Sequence, residues 1–108
     1  MPYDPMRNVY TKDEVMDELL VKLLDGEGKV KRWPKKNAEK EAVLHYIQGK
    51  IGKNKIYSEK EINEIILSWH TFNDYALIRR MLYDNFLLER TPDGRQYWVE
   101  DKREDAKG

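Results

Sequence analysis

His70 and Asp74 stand four residues apart, and His45 is the chain's other imidazole. A histidine and a carboxylate at that spacing are the minimum for acid–base work. No second carboxylate, nucleophile or glycine-rich loop completes a catalytic site around them. The chain has no cysteine, which excludes thiol nucleophiles, disulfides and thiolate metal sites. Two histidines give no metal-ligand spacing, and Gly26, Gly28, Gly49 and Gly52 do not form a phosphate-binding fingerprint. His70 is therefore expected to hold a turn by hydrogen bonding. No enzymatic activity, metal or cofactor is expected.

Arginine and lysine offer the other chemistry. In the helix expected between Asp74 and Asp84, Leu77, Ile78, Met81 and Leu82 share one face, with Tyr75 at its edge. Ala76, Arg79, Arg80 and Tyr83 share the opposite face. Arginine reads guanine edges with two prongs or grips phosphate, and a small Ala permits close approach. The same pattern also fits a solvated face on which Arg79 or Arg80 pairs with Asp84 or Glu89 for little gain in stability. Lys35, Lys36 and Lys40 sit where another helix begins, and phosphates dock at helix starts because free amide N–H groups point there. Arg90 and Arg95 flank a turn, where they could reach a DNA backbone or minor groove or merely guard an exposed strand edge. Trp33 either fills the core or stacks on a base, and core is the expected place. Tyr97 and Trp98 alternate, so one faces inward.

Charge is uneven along a chain whose formal net charge is +0. Residues 1–28 carry three basic and seven acidic side chains, a net of −4. Residues 29–60 carry ten basic and three acidic, a net of +7. Residues 61–108 carry seven and ten, a net of −3. A uniformly basic nucleic-acid coat is thus excluded, while the middle segment can present a local positive surface.

The elements that must position these groups follow from pattern. Residues 1–10, with two prolines and no period, read as a loose arm. Thr11 with Glu14 fits a capping box, and Val15, Met16, Leu19, Leu20, Leu23 and Leu24 make an apolar stripe on a first helix over 11–25. That stripe is wide enough either to fold back on the domain or to pair with its twin in a homodimer. Lys29 to Trp33 alternates like a short strand, and Pro34 forces Trp33 to be extended. Asn37 is expected to cap a second helix reaching about Gln48. Ile56-Tyr57 reads as a minimal strand. Ser58 with Glu61 is a capping box for a third helix with Ile62, Ile65, Ile66 and Trp69 on its buried face. Asn73 or Asp74 caps the fourth helix, which Asn85 can close in the left-handed conformation. Thr91-Pro92-Asp93-Gly94 between two apolar-bearing runs, 86–90 and 95–99, is a hairpin signal. Residues 100–108 read as a charged, frayed tail. No membrane-spanning run and no signal segment is visible, so a cytoplasmic protein is expected.

This order predicts an α+β fold: a mainly helical, winged helix-turn-helix-like bundle closed by a C-terminal β-hairpin, with an extra N-terminal helix. Residues 11–99 form one domain, the helix at 11–25 preceding a core over 26–98. Helices three and four are too short to stand alone and must cross the second to bury their stripes.

Trp33-Pro34-Lys35-Lys36, the run from Tyr57 to Ile65, His70 and the run from Asp74 to Arg80 resemble the domain of unknown function 2087 family, as do Leu88-Glu89-Arg90 and Tyr97-Trp98. The resemblance spans about residues 26–98. It implies a bacterial, winged-helix-like domain of transcription regulators and carries no established biochemical activity with it. Relatives tend to place Gly after the fourth helix, where this chain has Asn85-Phe86, and many carry a basic residue where this chain has Val99. The expected function is a regulatory module that binds duplex DNA through Lys35, Lys36, Ala76, Arg79, Arg80, Tyr83, Arg90 and Arg95. The alternative is a protein-interaction or dimerisation module that uses the same scaffold without nucleic acid.

Overall fold

The computed structural model describes residues 12–100, with side chains from Met16 onward. The expected arm at 1–10, the Thr11–Glu14 capping box and the tail beyond residue 100 lie outside them. The elements run α1 (Lys12–Val21), α2 (Asn37–Gln48), β1 (Tyr57–Ser58), α3 (Glu59–Leu67), α4 (Tyr75–Asp84), β2 (Glu89–Arg90) and β3 (Gln96–Trp98). The result is an α+β fold with four helices and one small antiparallel sheet of order β1-β3-β2.

Local chemistry starts the two central helices. The Ser58 hydroxyl accepts from the Glu61 amide at 3.1 Å while the Glu61 carboxylate accepts from the Ser58 amide at 2.8 Å, the reciprocal cap expected for α3. Asp74 caps α4 by accepting from the Leu77 amide at 3.2 Å. Ile62 and Ile66 of α3 meet Ile78 and Leu82 of α4 in a core completed by Ala42, Val43 and Ile47 of α2, all fully buried. Leu20 of α1 and Leu23 just beyond it join that core, and α1 packs on α2. Of the two destinations its stripe allowed, α1 thus folds back on the domain. The Lys22 ammonium ties this contact by pairing with the buried Glu39 of α2 at 3.1 Å.

The hairpin turns where expected. The Gly94 amide donates to the Thr91 carbonyl at 2.9 Å with Gly94 at φ +72°, a conformation that glycine adopts at no steric cost. Asp93 accepts from the Thr91 hydroxyl at 2.6 Å and the Arg95 amide at 3.0 Å. The Thr91 hydroxyl, then the amide, holds its carboxyl below the ordinary value of 3.8. The hairpin does not close the bundle alone, because β1 adds a third strand, pairing Tyr57 with Tyr97 and Ser58 with Gln96.

Four expectations need correction. Residues 29–33 form no strand: only Val30 bridges, to Leu24 and to His70. The Lys31 amide still donates to the Leu23 carbonyl at 2.8 Å, but no bridge follows it, and Pro34 has no amide to continue a ladder. Asn37 does not cap α2; Lys36 occupies the cap position without a side-chain bond, and Asn37 is already helical. Packing of Ala42, Val43 and Ile47 holds this helix in place of a polar cap. The first helix ends at Val21, not 25, because Leu23 and Leu24 turn back onto the Leu20 carbonyl. Asp25 then organises the next turn by accepting from the Glu27 and Lys29 amides, both at 2.9 Å, and the Lys29 bond above all lowers its carboxyl pKa.

The closing residue of α4 is the fourth. Asn85 stays at φ −98°, and the left-handed position falls on Phe86 at φ +62°. A non-glycine residue there costs about 1–2 kcal/mol. Buried Leu82 and Leu88 on either side fix this geometry, with the Leu87 amide donating to the Leu82 carbonyl at 2.9 Å.

Candidate nucleic-acid interface

His70 holds the turn between α3 and α4. Its Nδ1 lies 2.7 Å from the Ile66 carbonyl oxygen, and the Asp74 amide donates to its Nε2 at 2.9 Å. A carbonyl accepts and an amide donates, so this network assigns the ring proton to Nδ1. Both ring nitrogens are therefore occupied by main chain. The Asp74 carboxylate faces Leu77 in its capping role and does not pair with the imidazole. The ring is buried and stacks edge-on against Phe72 at 4.6 Å between centroids.

With the turn fixed, the outer face of α4 meets the hairpin. Arg79, Arg80, Tyr83 and Asp84 of α4 line a groove of about 320 Å³ with Arg90 of β2 and Tyr97 of β3. Three guanidinium groups and a single carboxylate give it a positive lining. The Arg90 guanidinium lies over the Tyr83 ring, 4.6 Å from its centroid, and donates to the Thr91 and Pro92 carbonyls at 3.1 and 3.3 Å. Stacking uses the flat face of the guanidinium, whereas an anion is met by N–H groups in its plane, where Nη1 already donates to these two carbonyls.

The neighbouring arginines of α4 have different fates. The Arg79 side chain is 21% exposed and turns toward α3, where it donates to Asn63 Oδ1 and lies 3.6 Å from the Glu59 carboxylate. Arg80 is 82% exposed and pairs with Asp84 at 3.7 Å along its own helix. The expectation that Arg79 or Arg80 pairs with Asp84 or Glu89 is met by Arg80 with Asp84, while Arg79 pairs with Glu59. Nothing in local sequence marks Asn63 and Glu59 as partners of Arg79, since the contact depends on how α3 crosses α4. Asp84 and Tyr97 also line the groove although they are not among the residues expected at the interface; strand alternation already required Tyr97 or Trp98 to face inward.

The remaining expected residues lie apart. Ala76 is exposed on the first turn of α4. Lys35 and Lys36 are exposed before α2 and do not line the groove. Arg95 is 86% exposed at the hairpin tip, 3.9 Å from Asp93. Trp33 is half-buried against the core.

Among the described residues, no helix is long and apolar enough to cross a membrane. The sequence model of one bacterial family, described as "Uncharacterized protein conserved in bacteria (DUF2087)", matches residues 29–99, about two-thirds of the chain. The chain belongs to that family. No curated protein and no solved structure matches it.

Proposed function

We propose that this domain is a winged helix-turn-helix module that binds duplex DNA in transcription regulation, with α4 entering the major groove and the β2–β3 hairpin as its wing. The helix and strand order and the sheet order β1-β3-β2 support this reading. The observation that carries it is the groove between α4 and the hairpin, where Arg79, Arg80 and Arg90 converge beside Tyr83. Arg80 and Tyr83 reach base edges or phosphate, Ala76 admits the duplex, Arg90 and Arg95 grip the flanking backbone, and Lys35 and Lys36 add phosphate contacts outside the groove. Arg79 orients α4 against α3 unless DNA draws it from Glu59.

A salt-titrated anisotropy assay with duplex DNA tests this. Affinity should fall linearly with salt on logarithmic axes, and Arg80→Ala should reduce the slope by about 1. No binding at low salt refutes the reading. That result would favour the second reading, a protein-interaction module, which the carboxylates Glu59 and Asp84 beside Arg79 and Arg80 support.

A further inference from the structure

Each guanidinium of the α4–hairpin groove is engaged within the protein. Arg79 faces Glu59, Arg80 pairs with Asp84, and Arg90 Nη1 donates to two main-chain carbonyls. Less of their charge is left to draw a polyanion from solution. The uncompensated charge lies elsewhere. Arg32, Lys35 and Lys36 are exposed, and among the described residues none of the three has a carboxylate within ion-pair distance.

The fold carries these three cations to one flank of α4. Val30 ties their segment to the turn before α4: its amide donates to the Trp69 carbonyl at 2.9 Å and its carbonyl accepts from the Thr71 amide at 3.0 Å. The Thr71 hydroxyl adds a bond to the Lys31 carbonyl at 3.3 Å, which sets Arg32 beside the residues that lead into α4. Pro34 is buried, and Lys35 and Lys36 lead into α2, where Asn37 and Lys40 share a cavity wall with Met81 and Asn85 of α4. At 100° per residue, Met81 and Asn85 stand on the side of α4 opposite Arg79 and Tyr83, which turn to α3 and the hairpin. The exposed face with Ala76 and Arg80 lies between these two sides. A duplex against that face thus meets the hairpin arginines on one side and Arg32, Lys35 and Lys36 on the other. On the α3 side the exposed charges are the carboxylates of Glu59, Glu61 and Glu64 against the one ammonium of Lys60, so the α2 flank is the more attractive to phosphate.

We infer that Arg32, Lys35 and Lys36 form a phosphate rim that grips one strand of the duplex beside α4 and supplies most of the sequence-independent affinity. Phosphate contacts carry no sequence information, so base discrimination falls to the α4–hairpin groove. The rim rests on the DNA reading above. It makes Arg32 a binding residue, and it makes the two lysines the main electrostatic contact instead of an accessory one.

Anisotropy titrations of the whole chain over a range of salt test the rim, using a duplex selected from a random pool and a scrambled duplex of equal length, with thermal melts of each variant. Arg32→Gln, Lys35→Gln and Lys36→Gln combined should lower the slope of log affinity against log salt by about 3, since each phosphate contact contributes about 0.9. Both duplexes should weaken by the same factor, and the melt should match the parent's. Lys35→Gln with Lys36→Gln, which leaves the Arg32 segment intact, should lower the slope by about 2. Lys50→Gln, Lys53→Gln and Lys55→Gln combined, beyond the other end of α2, remove the same charge and should change it by less than about 1. A parent that binds neither duplex at low salt ends the DNA reading and the rim together. A parent that binds, with a slope unmoved by the rim variants or lowered equally by the loop variant, overturns the rim and leaves the groove reading standing. A rim variant that weakens only the selected duplex overturns the division between rim and groove.

Discussion

Replacing Arg79 and Arg80 by Ala, one at a time, separates residues that adjoin in sequence and differ in place. Arg79→Ala removes a charge-assisted hydrogen bond to Asn63, the pairing with Glu59 and a contact with the Tyr75 ring, whose centroid is 5.8 Å from the guanidinium. A hydrogen bond to a charged group is worth about 1.5–3 kcal/mol where it is shielded. Asn63 is only half-buried and Glu59 is exposed, so water replaces part of what is lost. Screening at such partly exposed pairs lowers the expected cost of Arg79→Ala to about 1–2 kcal/mol. For a domain of this size each kcal/mol shifts Tm by about 4–8 °C. Arg80→Ala removes an exposed side chain paired along its own helix, which is worth less than about 0.5 kcal/mol. Urea unfolding with a shared m-value gives both numbers, and a cycle with Asn63→Ala isolates the shared bond. Equal midpoints for the two single variants would refute the assignment of Arg79 to the α3–α4 contact. Arg79→Ala together with Arg80→Ala is accordingly not a clean probe of DNA binding, since half of it perturbs the scaffold.

Other outcomes follow from the same contacts. His70→Ala leaves the buried Ile66 carbonyl and the Asp74 amide without the imidazole and opens a cavity, so the domain should lose about 2–4 kcal/mol in urea melts; an unchanged midpoint would show that the turn holds itself. Asp25 and Asp93 both have folded pKa values below their unfolded ones, so each contributes stability above the ordinary value of 3.8 that is lost as pH falls through the folded value. Asp93→Asn should therefore lower stability at neutral pH and flatten the acid limb of a Tm-against-pH curve, and a limb of unaltered steepness would contradict it.

Legibility in the sequence followed the range of the interaction. The Ser58–Glu61 cap, the Asp74 cap and the Thr91–Gly94 turn each close within a few residues, so residue types and spacing sufficed. Apolar periodicity likewise placed Ile62, Ile66, Ile78 and Leu82 inward. The failures were of another kind. Lys29 to Trp33 alternates like a strand, yet its neighbours on both sides pair with it only at Val30, which bridges Leu24 and His70. Tyr57 looked like an isolated strand residue because its partner, Tyr97, lies forty residues on. Asn85 has the better intrinsic preference for the left-handed position, but the packing of Leu82 and Leu88 passed that position to Phe86. At the candidate site, the side of α4 carrying the arginines was readable from helical spacing. The turning of Arg79 to α3 was not, because it depends on a crossing angle that spacing does not encode.

The contribution of α1 to the core has a consequence for where this domain can be cut. The family match begins at residue 29, but Leu23 before it is fully buried and Leu20 nearly so. Val30 anchors the join from the other side: its amide donates to the Trp69 carbonyl and its carbonyl accepts from the Thr71 amide, at 2.9 and 3.0 Å. A fragment starting at residue 29 would keep that anchor and lose the cover above α2, leaving an apolar patch open and Glu39 without its ammonium. The segment held in common with relatives is thus shorter than the cooperative unit in this chain. A transplanted domain, or a swap with a family member lacking such a helix, should be bounded before α1 if it is to fold as this one does.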